Sequence, residues 1–229
     1  MSRLRGDQGG HTLIELLVSL AVGSILLLAI FGALDYSVKA NGKVEDRVDS
    51  SQRGRAFMEL LTQQIRSQIC LGPGYSPIPA GITTDGSSMT FYTDLGGDTP
   101  RIQRRTITYS NGTVFETDYD VTGTIPTAPT FTLVRQNYVL GTNLALVSGV
   151  PFFKYYAFTA NPVTPNLLLG TPLLDSDKPR VVKVGISFIS QSTRKNGSTV
   201  NTGTFSTFQN DVYVRTSDAS DPDHSPQCI

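Results

Sequence analysis

Only two cysteines occur in the 229 residues, Cys70 and Cys228. Two are too few for a disulfide scaffold, and no CxxC or Cys/His spacing marks a metal site. Histidine is as scarce. His11 lies near the amino end and His224 near the carboxyl end, so neither is placed to join a base–nucleophile pair in a folded region between them. HExxH, the GxSxG elbow and the phosphate-binding glycine loop are all absent. Net charge is missing too: 19 Lys and Arg balance 19 Asp and Glu, which argues against bulk nucleic acid or an anionic membrane surface as partner. The one tight basic cluster, Arg101, Arg104 and Arg105, reads as the solvated face of a strand. These absences point away from an enzyme, and no cofactor is expected.

Proline is absent from the first 70 residues, and all 13 prolines follow. An interior proline removes a helical hydrogen bond and clashes with the preceding turn. Residues 13–70 can therefore form one long helix, about 87 Å end to end. Charge is absent from part of this stretch: Leu16 to Leu34 holds 19 residues and no Asp, Glu, Lys or Arg. At 1.5 Å per residue that is about 28 Å, close to the hydrocarbon thickness of a bilayer. From Asp35 to Cys70, 11 charged residues appear, and the helix is expected to turn amphipathic. On a 100° wheel Val44, Val48, Met58, Leu61, Ile65 and Ile69 share one stripe, with Ser51 and Thr62 inside it. That stripe needs a surface, which the rest of the chain should supply. Gly23, Gly32, Gly42 and Gly54 each weaken the helix by about 1 kcal/mol relative to alanine. In a membrane such small residues also allow close helix packing.

Ahead of the apolar run stands Gly10-His11-Thr12-Leu13-Ile14-Glu15-Leu16-Leu17-Val18, preceded by a polar leader carrying Arg3 and Arg5. A carboxylate deep in a bilayer costs about 2.5–3.5 kcal/mol on insertion scales, which makes Glu15 a functional candidate. A secretory signal explains the apolar run less well, since 19 residues is long for one and no convincing small-x-small site follows. A plain signal anchor, its amino end held in the cytoplasm by Arg3 and Arg5, explains the topology but not the register of the whole string.

That string resembles the class III signal of type IV pilins and type II secretion pseudopilins. The resemblance implies cleavage by the prepilin peptidase between Gly10 and His11, and methylation of the new amine on His11. It also implies that Glu15 becomes the fifth residue of the mature chain. Phenylalanine is usual in the family where His11 stands here. Gly32 occupies a position where the family often has a helix-bending proline. Glu15 would then pair with the amino-terminal amine of a neighbouring subunit and set the axial register of a filament, because either charge left alone in a low-dielectric core costs several kcal/mol.

Leu71-Gly72-Pro73-Gly74 should stop the helix. Strands are expected at Met89–Thr93, Arg101–Tyr109, Thr113–Tyr119, Phe131–Leu140, Asn143–Val147, Phe152–Phe158, Val181–Ile189 and Phe205–Arg215. Asn111-Gly112 marks a type I′ hairpin and Asn196-Gly197 another turn. Proline-broken loops fall between Tyr119 and Phe131 and from Asn161 to Pro179. In Val181–Ile189, Val182, Val184, Ile186 and Phe188 point one way, Lys183 and Ser187 the other. The fold class is therefore α+β, with one long amino-terminal helix packed on an antiparallel β-rich head. The expected organisation is a leader at 1–10, a transmembrane or filament-core helix at 11–35, an amphipathic half at 36–70, and a head with a polar tail at 71–229. Leu144 to Val150 followed by Phe152-Phe153-Lys154-Tyr155-Tyr156 resembles a strand of PilW-like and J-type minor pilins. Arg180 to Ile186 and Asn210 to Arg215 resemble their last two strands, with Thr216 where asparagine is usual.

The resemblance implies a structural subunit of a pilus or type II secretion pseudopilus, or of a competence system. Its partners would be the prepilin peptidase, other pilin or pseudopilin subunits, an inner-membrane assembly platform, and membrane lipid before assembly. It would be a single-pass protein of the bacterial inner membrane with an extracytoplasmic head. The alternative is a signal-anchored extracytoplasmic enzyme or binding protein. In an oxidising compartment Cys70 and Cys228 are a candidate disulfide, the other reading being a buried apolar Cys70 and a separate thiol. Some pseudopilins bind calcium in a head-domain loop. That marks Asp175 with Asp177, and Asp218, Asp221 and Asp223, as places for such a site, although solvated acidic loops are the commoner use of such residues.

Overall fold

The computed structural model describes residues 12–72, 75–94, 101–160, 162–192 and 205–214. The chain divides into two compact units, Met1–Glu45 and Asp46–Ile229. A single helix, α1, runs Leu13–Arg66, as the proline-free stretch predicts. It ends four residues short of Cys70. Ser67 turns its hydroxyl back to the Gln64 carbonyl (2.7 Å). The chain then leaves the helix to pair with a strand: Gln68 bridges Thr93 and the Ile69 amide donates to the Tyr92 carbonyl (3.0 Å). The residues expected to be the last helical turn are thus bound to the head by backbone hydrogen bonds.

In the second unit, the helical residues from Asp46 onward bury Asp46, Ser50, Gly54, Phe57, Met58, Leu61, Gln64 and Ile65. This corrects the predicted stripe. Met58, Leu61 and Ile65 are buried as expected, but Val44 is 63% and Val48 48% exposed. The buried face is rotated by about 70° at 100° per residue, toward small and polar side chains. The neighbouring strand explains it: the Phe208 ring lies where a Cβ on Gly54 would be, 2.1 Å from its nearest carbon. Ser50 Oγ meets Ser206 Oγ at 3.3 Å, and Asp46 accepts from Ser192 Oγ (3.0 Å). Apolar periodicity cannot register a face whose partners require a missing side chain and two hydroxyls.

Strands β1 (Ser88–Asp94), β2 (Ile102–Ser110), β3 (Thr113–Thr124) and β4 (Ala128–Gly141) form an antiparallel meander in that spatial order, sheet A. β2 and β3 join through Asn111 and Gly112 at φ 48° and 78°, the left-handed pair that a type I′ turn requires. β3 and β4 run into what the sequence marks as a proline-broken loop. Gly123, at φ 86°, sits where a Cβ would meet the Ala128 carbonyl at 2.8 Å. Pro129 is tolerated because β4 is an edge strand, where a missing N–H can face outward.

Sheet B holds β5 (Leu144–Ala145), β6 (Phe153–Ala157), β7 (Leu167–Leu168), β8 (Lys183–Gln191) and β9 (Phe205–Tyr213). β8 is its centre, pairing with β5, β6 and β9. The strand expected at Asn143–Val147 shrinks to two residues. Asn143 adopts φ 56°, and Val147 begins a turn closed by the Val150 amide. The Asn161–Pro179 loop contains β7, and the turn Lys178–Arg180 follows it. Asn196-Gly197 and the tail from Thr216 lie outside the described residues.

One apolar core joins the second half of α1 to both sheets. Phe57, Leu61 and Ile65 of the helix meet Met89, Phe91 and Ile107 of sheet A and Phe152, Val184, Ile186 and Phe188 of sheet B. Phe188 stacks on Phe152 and Phe208 and takes the edge of Phe57 at 5.2 Å. Val182, Val184, Ile186 and Phe188 are fully buried as predicted, and Lys183 and Ser187 on the opposite face are buried too.

Candidate functional site

The first turn of α1 is built on Thr12, whose carbonyl accepts from the amides of Glu15 (3.0 Å) and Leu16 (3.2 Å). Glu15 lies in that first turn, where the positive end of the helix dipole favours a carboxylate. The spacing Thr12-x-x-Glu15 is that of a capping box. Beyond it the helix is apolar all round. Leu13, Ile14, Leu16, Leu20, Ile25, Leu28, Phe31 and Leu34 are each more than half exposed. Within Leu16–Leu34 the only hydroxyls are on Ser19 and Ser24, and both bond to their own helix backbone, at Glu15 O and Ala21 O (2.8 Å each). No polar group there asks for water. A helix with such a surface requires lipid or other apolar helices around it.

The helix glycines separate cleanly. Gly23, Gly32 and Gly42 have nothing within 4 Å of an added Cβ, so no contact among the described residues requires them. Gly54 alone is fixed by packing, against Phe208.

Gly10 and His11, the expected cleavage and methylation positions, lie outside the described residues. So do Cys228, His224, Asp218, Asp221 and Asp223. Cys70 is partly buried and is not a free thiol. The described aspartates of the calcium reading are held by cations. Asp175 accepts from Lys178 Nζ (2.6 Å) and the Gly81 amide (3.1 Å), and these two bonds hold its carboxyl below the usual range. Asp177 accepts from Arg180 (3.1 Å). Among the described residues no three His, Cys, Asp or Glu side chains converge as a metal ion would need.

The basic cluster is not simply a solvated face. Arg105 is buried and Glu116 and Asp118 opposite are fully so. Arg105 lies 3.7 Å from Glu116 and 3.6 Å from Asp118 and donates to Gln103 Oε1 (2.9 Å). Arg135 of β4 binds both acids, with Nη2 to Asp118 at 2.7 Å. Gln64 of the helix donates to Glu116 (2.6 Å), so the network ties α1 to sheet A. Burial raises the Glu116 pKa above its ordinary 4.5, with Arg105 opposing. Arg101 and Gln103 both bond Asp120 and hold its carboxyl low. Arg104 faces the other way, its guanidinium 4.4 Å from the Tyr119 ring and 4.0 Å from Phe131. The signal was present in the sequence: the Asn111-Gly112 turn fixes Arg105 opposite Asp118 and Gln103 opposite Asp120, and Glu116, Asp118 and Asp120 alternate onto one face.

A family model described as the prokaryotic N-terminal methylation motif matches residues 5–31. No curated protein and no solved structure matches the chain. The match covers the residues just before α1 and most of its apolar stretch, and none of the strands. The chain thus carries a prepilin-type amino-terminal signal on a helix long and apolar enough to cross a membrane, and it fits a membrane-anchored protein.

Proposed function

We propose that the chain is a minor pilin or pseudopilin, a structural subunit rather than an enzyme, stored in the bacterial inner membrane and assembled into a pilus or type II secretion pseudopilus. The observation that carries this reading is the coincidence of the methylation motif with a helix exposed and apolar on every side. Residues 1–10 are the leader, 11–35 the membrane or filament-core segment, 36–70 the amphipathic half and 71–229 the head. Arg3 and Arg5 keep the leader cytoplasmic, which leaves the head on the other side. The head sequence supports a PilW-like or J-type minor subunit through Leu144–Tyr156 and the last two strands.

The test is the mature amino terminus. Co-expressed with a prepilin peptidase, the chain should begin at His11 with a methylated amine by intact-mass spectrometry. Gly10→Val should leave the leader attached, since a side chain there stands between the scissile peptide and the catalytic aspartates. A start at Leu34 or beyond would return the chain to the alternative, an extracytoplasmic enzyme or binding protein released from its signal.

Glu15 then pairs with the methylated amine of a neighbour. Glu15→Val removes a charge from the apolar segment, so membrane insertion should be unchanged or improved. Incorporation into sheared filaments should fall severalfold against wild type, measured by quantitative immunoblot. Equal incorporation would remove the pairing role.

A further inference from the structure

We propose that Lys183 and Asn166 join covalently, the lysine amine displacing the asparagine side-chain nitrogen as ammonia while Asp211 moves the protons. The proposal does not rest on the filament reading. Lys183 opens β8 and is 6% exposed. Its Nζ donates to Asn166 Oδ1 (3.1 Å) and Asp211 Oδ2 (3.0 Å), and lies 4.4 Å from the centre of the Tyr156 ring. A primary amine, an acyl carbon and a carboxylate able to take a proton therefore stand together. Lys178, the other buried lysine among the described residues, has a carboxylate in Asp175, but its second partner is the backbone carbonyl of Ile82. Separate strands build the site at Lys183. Tyr156 comes from β6, opposite Lys183; Asn166 from the turn before β7; and Asp211 from β9, opposite Gly185. Gly185 lets the carboxylate lie across β8: a Cβ there would stand 3.1 Å from Asp211 Oδ1 and 3.3 Å from the Tyr156 ring.

The ion pair of Lys183 with Asp211 is the starting state. Asp211 takes a proton from the Lys183 ammonium, and the freed lone pair adds to Asn166 Cγ. That carbon lies one C=O bond, about 1.23 Å, from Oδ1, so Nζ starts within about 4.3 Å of it. Asn166 is exposed, and a turn about its side-chain torsions brings the face of the amide to the amine. The adduct collapses as Asp211 returns its proton to Nδ2. The Cγ–Nδ2 bond breaks and ammonia leaves. Asp211 then takes the surplus proton from the new amide nitrogen and passes it to the ammonia as ammonium. One N–C bond forms and one breaks, and nothing is oxidised or reduced. The Lys183 side chain is 7% exposed and that of Asp211 53%, so the amine is held in place beside an open exit. In well-oriented intramolecular reactions such holding reaches effective molarities of about 10⁵–10⁸ M, and loss of ammonia to solvent makes the step one-way. The product ties the turn before β7 to the central strand of sheet B.

The experiment uses the full chain purified in detergent, aged, reduced and weighed intact. Wild type should weigh about 17 Da less than its processed sequence requires, the mass of one ammonia. Trypsin should fail to cut after Lys183 and should release residues 155–180 joined to 181–194. Asn166→Ala, at an exposed position, and Lys183→Arg, which keeps the charge, should both retain full mass. Asp211→Asn should slow the loss by about a hundredfold, since it removes the proton carrier, and Gly185→Ala should slow it by displacing Asp211. The same loss without the joined peptide would place a cyclised asparagine elsewhere and overturn the proposal. A loss of about 18 Da, one water, with Lys183 joined to Asp211 would overturn it in favour of that bond. Full mass in aged wild type, with Lys183 cut by trypsin, would overturn it and leave an ordinary ion pair.

Discussion

Arg105→Leu should lower the stability of the full chain in detergent by about 3–5 kcal/mol, the usual penalty for removing one partner of a buried ion pair. Arg105 is the inner of two guanidinium groups facing Glu116 and Asp118, and both acids are almost completely buried. Without it they share only Arg135, whose side chain is 38% exposed and can move toward water. One carboxylate is then ionised and poorly paired in the core. Glu116→Gln in the same chain should restore more than half of the loss, since it removes the excess charge and leaves an amide for Gln64 and Arg135. The cycle is read from denaturant midpoints with an unchanged slope, and additive losses would mean that Arg105 and Glu116 are not coupled.

The network also fixes a sign for pH. Glu116 has a raised pKa in the folded chain, so its contribution to stability is full below about pH 4.5, its unfolded value, and is lost as pH rises through the folded value. Asp120 has a lowered pKa, so its contribution is present above its unfolded value and is lost as pH falls through the folded one. The stability difference between wild type and Glu116→Gln should therefore shift in favour of the variant as pH rises from 4. A shift in favour of wild type would mean that pairing with arginine outweighs burial at this carboxylate.

Much of the architecture was legible because it depends on residues with strong local preferences. Proline after residue 70 divides helix from sheet, and Asn111-Gly112 sets the β2–β3 register on its own. The apolar helix follows from length and the missing charges. What was hidden depends on partners far away in sequence. The buried helix face turns toward Ser50 and Gly54 because β9 presents Ser206 and Phe208 there, and no periodicity within α1 contains that information. Pro129 reads as a breaker until β4 is known to be an edge. Arg105 reads as surface until Gln64 and Arg135 close over its acids. The amino-terminal signal is the reverse case. It is legible as a sequence register, matched as a motif over residues 5–31, while folding adds only that the apolar helix is bare on every side.

Reduction of a Cys70–Cys228 disulfide should have the largest effect on the head. Cys70 lies beside the contact that fastens the end of α1 to β1, between Ile69, bonded to Tyr92, and Leu71, buried with Tyr92 and Val121. Cys228 is the penultimate residue of a polar, acidic tail that begins just past the last strand. A bridge between them would close a loop of about 160 residues, for which the chain-entropy model gives about 5 kcal/mol as an upper value. Such a bridge persists in an oxidising compartment, where the proposed topology would put the head. Cys228→Ser should lower the denaturant midpoint of protein taken from the oxidising compartment. It should have no further effect once wild type has been reduced, because both chains then lack the bridge. Non-reducing peptide mapping should recover residues 70 and 228 in one linked peptide. Two alkylatable thiols in protein from that compartment would remove the bridge and leave the tail unattached.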